Sequence, residues 1–144
     1  VSGLSAPARA AVFRASAGGP ALALPSAPLG SLWLATLTSE PSDDGDGSAL
    51  PEAAYGGYHR TALPYNLGWT LDESSTMFSN ADPISLAPLT SGGPVQVDHW
   101  ALCDAATDGM SWWSGAFTPV IIEPSDPDPV FPVGYLILYL SPGA

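Results

Sequence analysis

Glycine and proline cut this chain into short pieces. It carries 15 glycines and 16 prolines in 144 residues. The intervals between them are mostly apolar, β-branched or aromatic and too short for helices of ordinary length. That spacing predicts an all-β chain, a β-sandwich or jelly-roll-like single domain that closes seven or eight short strands. The sequence has no internal repeat, which argues against a propeller or solenoid. So much Gly and Pro often marks disorder. Here 46% of residues are apolar and 10% aromatic, enough for a core at this length.

The exception to the β pattern lies at the start. Residues 4–17, LSAPARAAVFRASA, place Leu4, Ala8, Ala11 and Val12 on one helical face. Ser5 with Pro7 suits a helix start, and Gly18-Gly19-Pro20 ends it. Residues 18–31 hold three prolines and three glycines and read as an extended connector. The division is therefore a helix and Pro/Gly-rich arm over 1–30 and a β-sandwich domain over 31–144. Strands are expected at Ser31–Ser39, Tyr58–Tyr65, Val95–Cys103, Met110–Phe117 and Phe131–Leu140, with weaker ones at 67–71, 76–79 and 84–87. The run from Phe131 to Leu140 is the strongest. Read as one strand, it sets Val133, Tyr135, Ile137 and Tyr139 on one face and Leu136, Leu138 and Leu140 on the other. A strand with one solvated face alternates apolar and polar residues. This one is apolar on both, so either the domain covers both faces or Tyr135, Ile137 and Tyr139 pack on another subunit.

Charge removes whole classes of function. Fourteen acids face three arginines, Arg9, Arg14 and Arg60, with no lysine, for a net charge of −11. Residues 61–144 hold nine acids and no Arg or Lys. A groove that neutralises phosphates needs several cations on one face, so nucleic acid is not an expected partner. Anionic headgroups are excluded on the same ground, and no stretch approaches the apolar length of a membrane span. No basic and apolar leader of the secretory type stands at the N-terminus. One cysteine, Cys103, permits no internal disulfide and reads as a small buried hydrophobe within Trp100-Ala-Leu-Cys103.

No catalytic set can be assembled. His99 and Cys103 would stand about 13 Å apart along a strand, and neighbours such as Asp98 and His99 point to opposite faces. Zinc-type spacings are missing. The loop Asp43-Asp44-Gly45-Asp46-Gly47 is the best metal candidate, but Ala49 stands where a calcium loop of the EF-hand type needs Gly, and Tyr55 where it needs Glu. It reads as a solvated turn, and no cofactor is expected. Trp112-Trp113 is the remaining candidate: one indole in the core and the other available to a subunit or to a sugar ring.

One segment is specific. Val97-Asp-His99-Trp100-Ala-Leu-Cys-Asp104-Ala-Ala-Thr-Asp-Gly109, followed by Met110 and by Ser114-Gly-Ala-Phe117-Thr-Pro119, resembles the "V-T-H-F-A-L-F-D-A-A-T-G-G-N-L-L-x-x-G-A-L-T-x-P" block of a family of short tailed-phage virion proteins. Leu32-Trp-Leu-Ala-Thr-Leu-Thr-Ser-Glu-Pro41 is similar to that family's "L-Y-L-A-L-S-T-A-D-P", Gly56-Gly57-Tyr58-His-Arg60 to its "G-G-Y-A-R", and Phe131-Pro-Val-Gly134 to its "F-x-A-G". The resemblance covers roughly residues 29–140. A longer N-terminal segment, Cys103 in place of an aromatic and Trp112-Trp113 in place of aliphatics depart from the pattern. Asp104 and Gly109 fit a turn between two apolar strands, Asp104 as its cap and Gly109 as a residue of positive φ.

The resemblance implies a non-enzymatic structural protein of the virion, made in the host cytoplasm and carried on the particle surface. A capsid decoration or head-fibre-base protein that binds the major capsid protein as a homo-oligomer is the first expectation. A tail fibre or tip component, and a carbohydrate-binding module that uses Trp112 or Trp113, are the alternatives.

Overall fold

A computed structural model describes residues 3–18, 32–63, 69–72, 77–124 and 129–139. Its backbone is built from β1 (Gly3–Leu4), α1 (Ala6–Ser16), β2 (Trp33–Leu37), a 3-10 turn (Gly47–Ala49), β3 (Thr61–Ala62), β4 (Trp69–Asp72), β5 (Met77–Asn80), β6 (Ile84–Ser85), β7 (Val95–Cys103), β8 (Ser111–Ile122), β9 (Val130–Phe131) and β10 (Ile137–Tyr139). The chain is all-β with one short helix. A five-stranded antiparallel sheet has the order β1-β8-β7-β2-β3, beside a three-stranded sheet β10-β5-β4 and a pair β6-β9.

The five-stranded sheet organises the core. On one face Leu34, Trp100 and Leu102 pack with Ile84, Phe131 and Leu136, so the smaller sheets lie over it. On the other, Ala35, Leu37, Ala101 and Cys103 form a second cluster capped by Leu50. Residues 34–37 and 100–103 are consequently buried on both sides, which explains why neither run alternates apolar and polar. Ala53, Leu89, Val97 and Ile122 form a third cluster toward the open end of the β7–β8 ribbon.

β8 carries more residues than β7 opposes. Leu102 pairs with Trp113 but Cys103 pairs with Ser111, which leaves Trp112 as the extra residue of a bulge. A second irregularity separates Val97↔Val120 from His99↔Ala116. Strict alternation fails at both places. The Trp112 and Trp113 ring centroids lie 6.4 Å apart, too close for rings projecting from opposite faces of a strand. His99 Nδ1 meets the Oδ1 of its neighbour Asp98 at 2.7 Å.

The run 131–140 is not one strand. Phe131 pairs with Ile84, and Ile137 pairs with Ser79 in a different sheet. Between them the chain turns through Pro132 and Gly134, whose φ is 81°. Asn80, fully buried, holds this turn: its Nδ2 donates to the carbonyls of Asp82 (2.8 Å) and Pro132 (3.0 Å), and its Oδ1 accepts the Leu136 N–H at 2.9 Å. Tyr135 therefore does not share a strand face with Ile137 and Tyr139. Leu140 lies outside the described residues.

The helix occupies Ala6–Ser16 within the expected 4–17. Gly3 and Leu4 ahead of it form an edge strand instead, opposite Ser114 and Trp113. Residues 19–31, most of the expected arm, lie outside the described residues.

Candidate functional site

Two of the segments that carry the family resemblance, 56–60 and 97–119, meet at one guanidinium. Arg60 ends the Gly56-Gly57-Tyr58-His-Arg60 segment and is 3% exposed. Its Nε and Nη2 donate to the two carboxylate oxygens of Glu52 at 3.0 and 2.9 Å, a bidentate pair. Nη1 donates to the carbonyls of Ala105 (2.9 Å) and Asp108 (2.8 Å), and Nη2 also to that of Gly47 (2.7 Å). All five N–H donors of the side chain are used. Tyr58 adds a 2.6 Å hydrogen bond from its hydroxyl to Glu52 Oε1. Burial lowers the tendency of Arg60 to stay charged, but the hydrogen bonds and charge of Glu52 outweigh it and hold the guanidinium above its ordinary pKa. Burial, with Glu52 alongside, likewise raises the Tyr58 phenol.

Arg60 thereby ties three loops together. In the 104–110 loop, Asp104 Oδ1 accepts the Met110 N–H at 2.8 Å, and the Asp104 N–H donates to the Met110 carbonyl at 3.1 Å. Asp108 and Gly109 both have positive φ, 53° and 69°. A Cβ on Gly109 would stand 2.5 Å from Asp104 Oδ1. The acidic loop is laced to this turn by Gly47 N–H to Gly109 O and Ser111 N–H to Gly45 O, both 2.9 Å. Its acids are engaged locally. Asp43 pairs with Arg9 at 2.7 Å, Asp44 Oδ1 accepts the Asp46 N–H, and Asp46 Oδ1 accepts from both the N–H and the hydroxyl of Ser48. Among the described residues no group of three His, Cys, Asp or Glu is placed to hold a metal.

The other candidates are dispersed. Trp112 is 5% exposed, and Trp113 is half-buried against the central core. Tyr135 is half-buried, its ring 6.0 Å from Phe117 and 5.9 Å from Phe131. Ile137 is half-buried opposite Ser79, and Tyr139 lies in β10 opposite Met77. The structure does not bring the His99–Asp98 pair to Cys103, which packs with Ala35, Leu37 and Ala101. Burial pushes the Cys103 thiol up to about 11. In the sequence Arg60 stands out only as one of three arginines and as the end of a motif, and nothing there marks Glu52 or Asn80. One signal was present: Arg60 is the last cation of a chain whose remaining 84 residues contain none.

Set against known families, residues 3–138 match the model of the podophage GP4 fiber I protein gp80. The chain belongs to this family. It is a structural protein of short-tailed phage. The match begins at β1, so the N-terminal segment is part of the family pattern, although the recognisable motifs cover only about residues 29–140. No curated protein matches the chain.

Proposed function

We propose that the protein is a non-enzymatic component of a fibre on the surface of a short-tailed phage particle, seated as a homo-oligomer on the head through the major capsid protein. The observation that supports this reading is the use made of the motif residues. Arg60 uses every donor on backbone and on Glu52 inside the fold, and Asp104 and Gly109 shape a turn. Their work is to hold loops in fixed positions, as a rigid building block requires. Contact with neighbours has surface to use. Val120, Ile121 and Val130 are exposed around a groove that Phe117 and Phe131 help to line, an arrangement typical of surfaces covered on assembly. The sugar-binding alternative asks for an exposed indole, and neither Trp112 nor Trp113 is exposed.

Quantitative mass spectrometry of purified particles tests the reading. A copy number in simple ratio to the major capsid protein fits a head-bound fibre base. A handful of copies per particle moves the protein to a tail fibre, and absence from the particle overturns the proposal.

A further inference from the structure

The N-terminal segment, residues 3–18, is a clip attached to the outside of the sheet. Its helix has 11 residues, too few to persist alone in water. Of its apolar side chains Ala8 is fully buried, Leu4, Ala11 and Val12 are half-buried, and Phe13 is 73% exposed. The seat is nevertheless specific. Gly3 and Leu4 pair with Ser114 and Trp113, the Ser5 N–H donates to the Trp112 carbonyl at 2.8 Å, and the Ala6 N–H donates to the Asp43 carbonyl at 2.9 Å. Arg9 holds both oxygens of Asp43, at 3.1 and 2.7 Å, and also donates to the Leu4 carbonyl at 2.6 Å. Gly45 leaves room for Pro7, whose Cγ would lie 2.5 Å from any Cβ there.

Polar side-chain atoms of the clip and of the strand it pairs with are left unmet. Ser5 Oγ, Trp112 Nε1 and Trp113 Nε1 are buried without a hydrogen-bond partner in the structure. Native proteins leave few such atoms. The Arg9–Asp43 pair lies in the open, at 46% and 43% side-chain exposure, where ion pairs hold weakly. A segment held by a two-residue strand contact and an exposed ion pair, with Leu4, Ala11 and Val12 only half-buried, detaches more readily than the sheet does. When it reattaches, register, charge and shape direct it to one place.

Resting on the fibre reading above, we propose that this clip is exchanged between copies of the chain: in the assembled fibre the β1–α1 segment of one copy occupies the seat on the next. The reach is sufficient. Fourteen residue steps separate Gly18 from Leu32, and at about 3.3–3.6 Å per residue they span up to roughly 46–50 Å. A domain of this length has a radius of gyration of about 15 Å and is roughly 38 Å across. Exchange reuses contacts that already exist, so it needs no second complementary surface. It also gives Phe13 a function, because a helix lying between two bodies has a neighbour on its outer side.

The test uses the full chain with two added cysteines, Ala6→Cys and Asp44→Cys. Both positions are exposed, and the Ala6–Asp43 hydrogen bond keeps them close. Cys103 is fully buried and stays silent. The protein is concentrated, treated with a short bismaleimide and run on a denaturing gel, with native mass spectrometry on the untreated sample. Exchange predicts that most of the chain runs as covalent dimers or larger species, and that Arg9→Asp removes them. Internally crosslinked single chains alone overturn the exchange. If native mass spectrometry still finds oligomers in that case, the clip proposal fails while the fibre reading stands, and the particle copy number judges that reading separately.

Discussion

Replacing Arg60 with methionine is the sharpest perturbation the structure offers. Methionine fills much of the same volume and keeps none of the five donors. It leaves the Glu52 carboxylate with the Tyr58 hydroxyl, and the carbonyls of Gly47, Ala105 and Asp108 without their donor. Removing one member of a buried ion pair costs about 3–5 kcal/mol. The Arg60 side chain is 2% exposed but that of Glu52 is 24% exposed, so water can reach the abandoned carboxylate, and the lower end applies. The expected loss is about 3 kcal/mol, a large part of the 5–15 kcal/mol typical of a whole domain. Urea denaturation should show a lower midpoint at unchanged slope, and thermal unfolding a midpoint lower by roughly 8–12 °C. Hydrogen exchange should locate the damage at the Gly47 and Met110 amides, which bridge the tied loops. Adding Glu52→Gln to Arg60→Met removes the stranded charge and should recover about 1–2 kcal/mol. A loss below about 1 kcal/mol for the single variant, or strict additivity in the double-mutant cycle, would refute the hub.

Three further outcomes follow from other parts of the molecule. Gly109→Ala sets a Cβ against Asp104 at a positive φ and should cost about 1–3 kcal/mol by calorimetry, with the hairpin amides losing protection first. Asn80→Ala strips three hydrogen bonds from the 132–136 turn and should cost about 3 kcal/mol. Asn80→Leu should be no better, since the backbone partners stay buried and unmet. Alkaline pH should destabilise the fold. The folded Cys103 thiol keeps its proton to about pH 11, while an unperturbed thiol ionises near 9.0, so the unfolded chain loses its proton first. This contribution is intact below pH 9 and is lost between pH 9 and 11. The loss amounts to about 3 kcal/mol at 1.36 kcal/mol per pH unit. The raised Tyr58 phenol acts in the same direction above pH 10. Cys103→Ala should delay the onset of the decline in pH-dependent denaturation. An unchanged onset would show that the thiol does not control it.

Local pattern made much of this fold legible. Val95–Cys103 and the core of the Trp33–Leu37 run could be read because β-branched and aromatic side chains crowd between turn residues, and the short strands near 70, 78 and 84 carried weaker forms of the same signal. What local pattern could not show depended on partners distant in sequence. Phe131–Leu140 looks like one strand until Asn80, more than fifty residues upstream, supplies the bonds that stabilise its turn. The Trp112 bulge arises from a residue count on β8 set against β7, which neither strand reveals alone. Arg60 illustrates the same point for the candidate site. Its type and its isolation are visible in the sequence, but the three carbonyls it holds are brought together only by the closed sheet.

The attachment of β1 has a mechanical consequence. It meets β8 over two residues at the sheet edge, whereas β7 and β8 are paired from Val95–Ile122 to Cys103–Ser111. Tension on the N-terminal segment falls first on that two-residue contact and on the Arg9–Asp43 pair, while tension along the long ribbon is shared across many bonds at once. A particle pulled through this segment would therefore stretch by releasing the clip, with the body of the domain still folded, and would recover its length when the clip closed again.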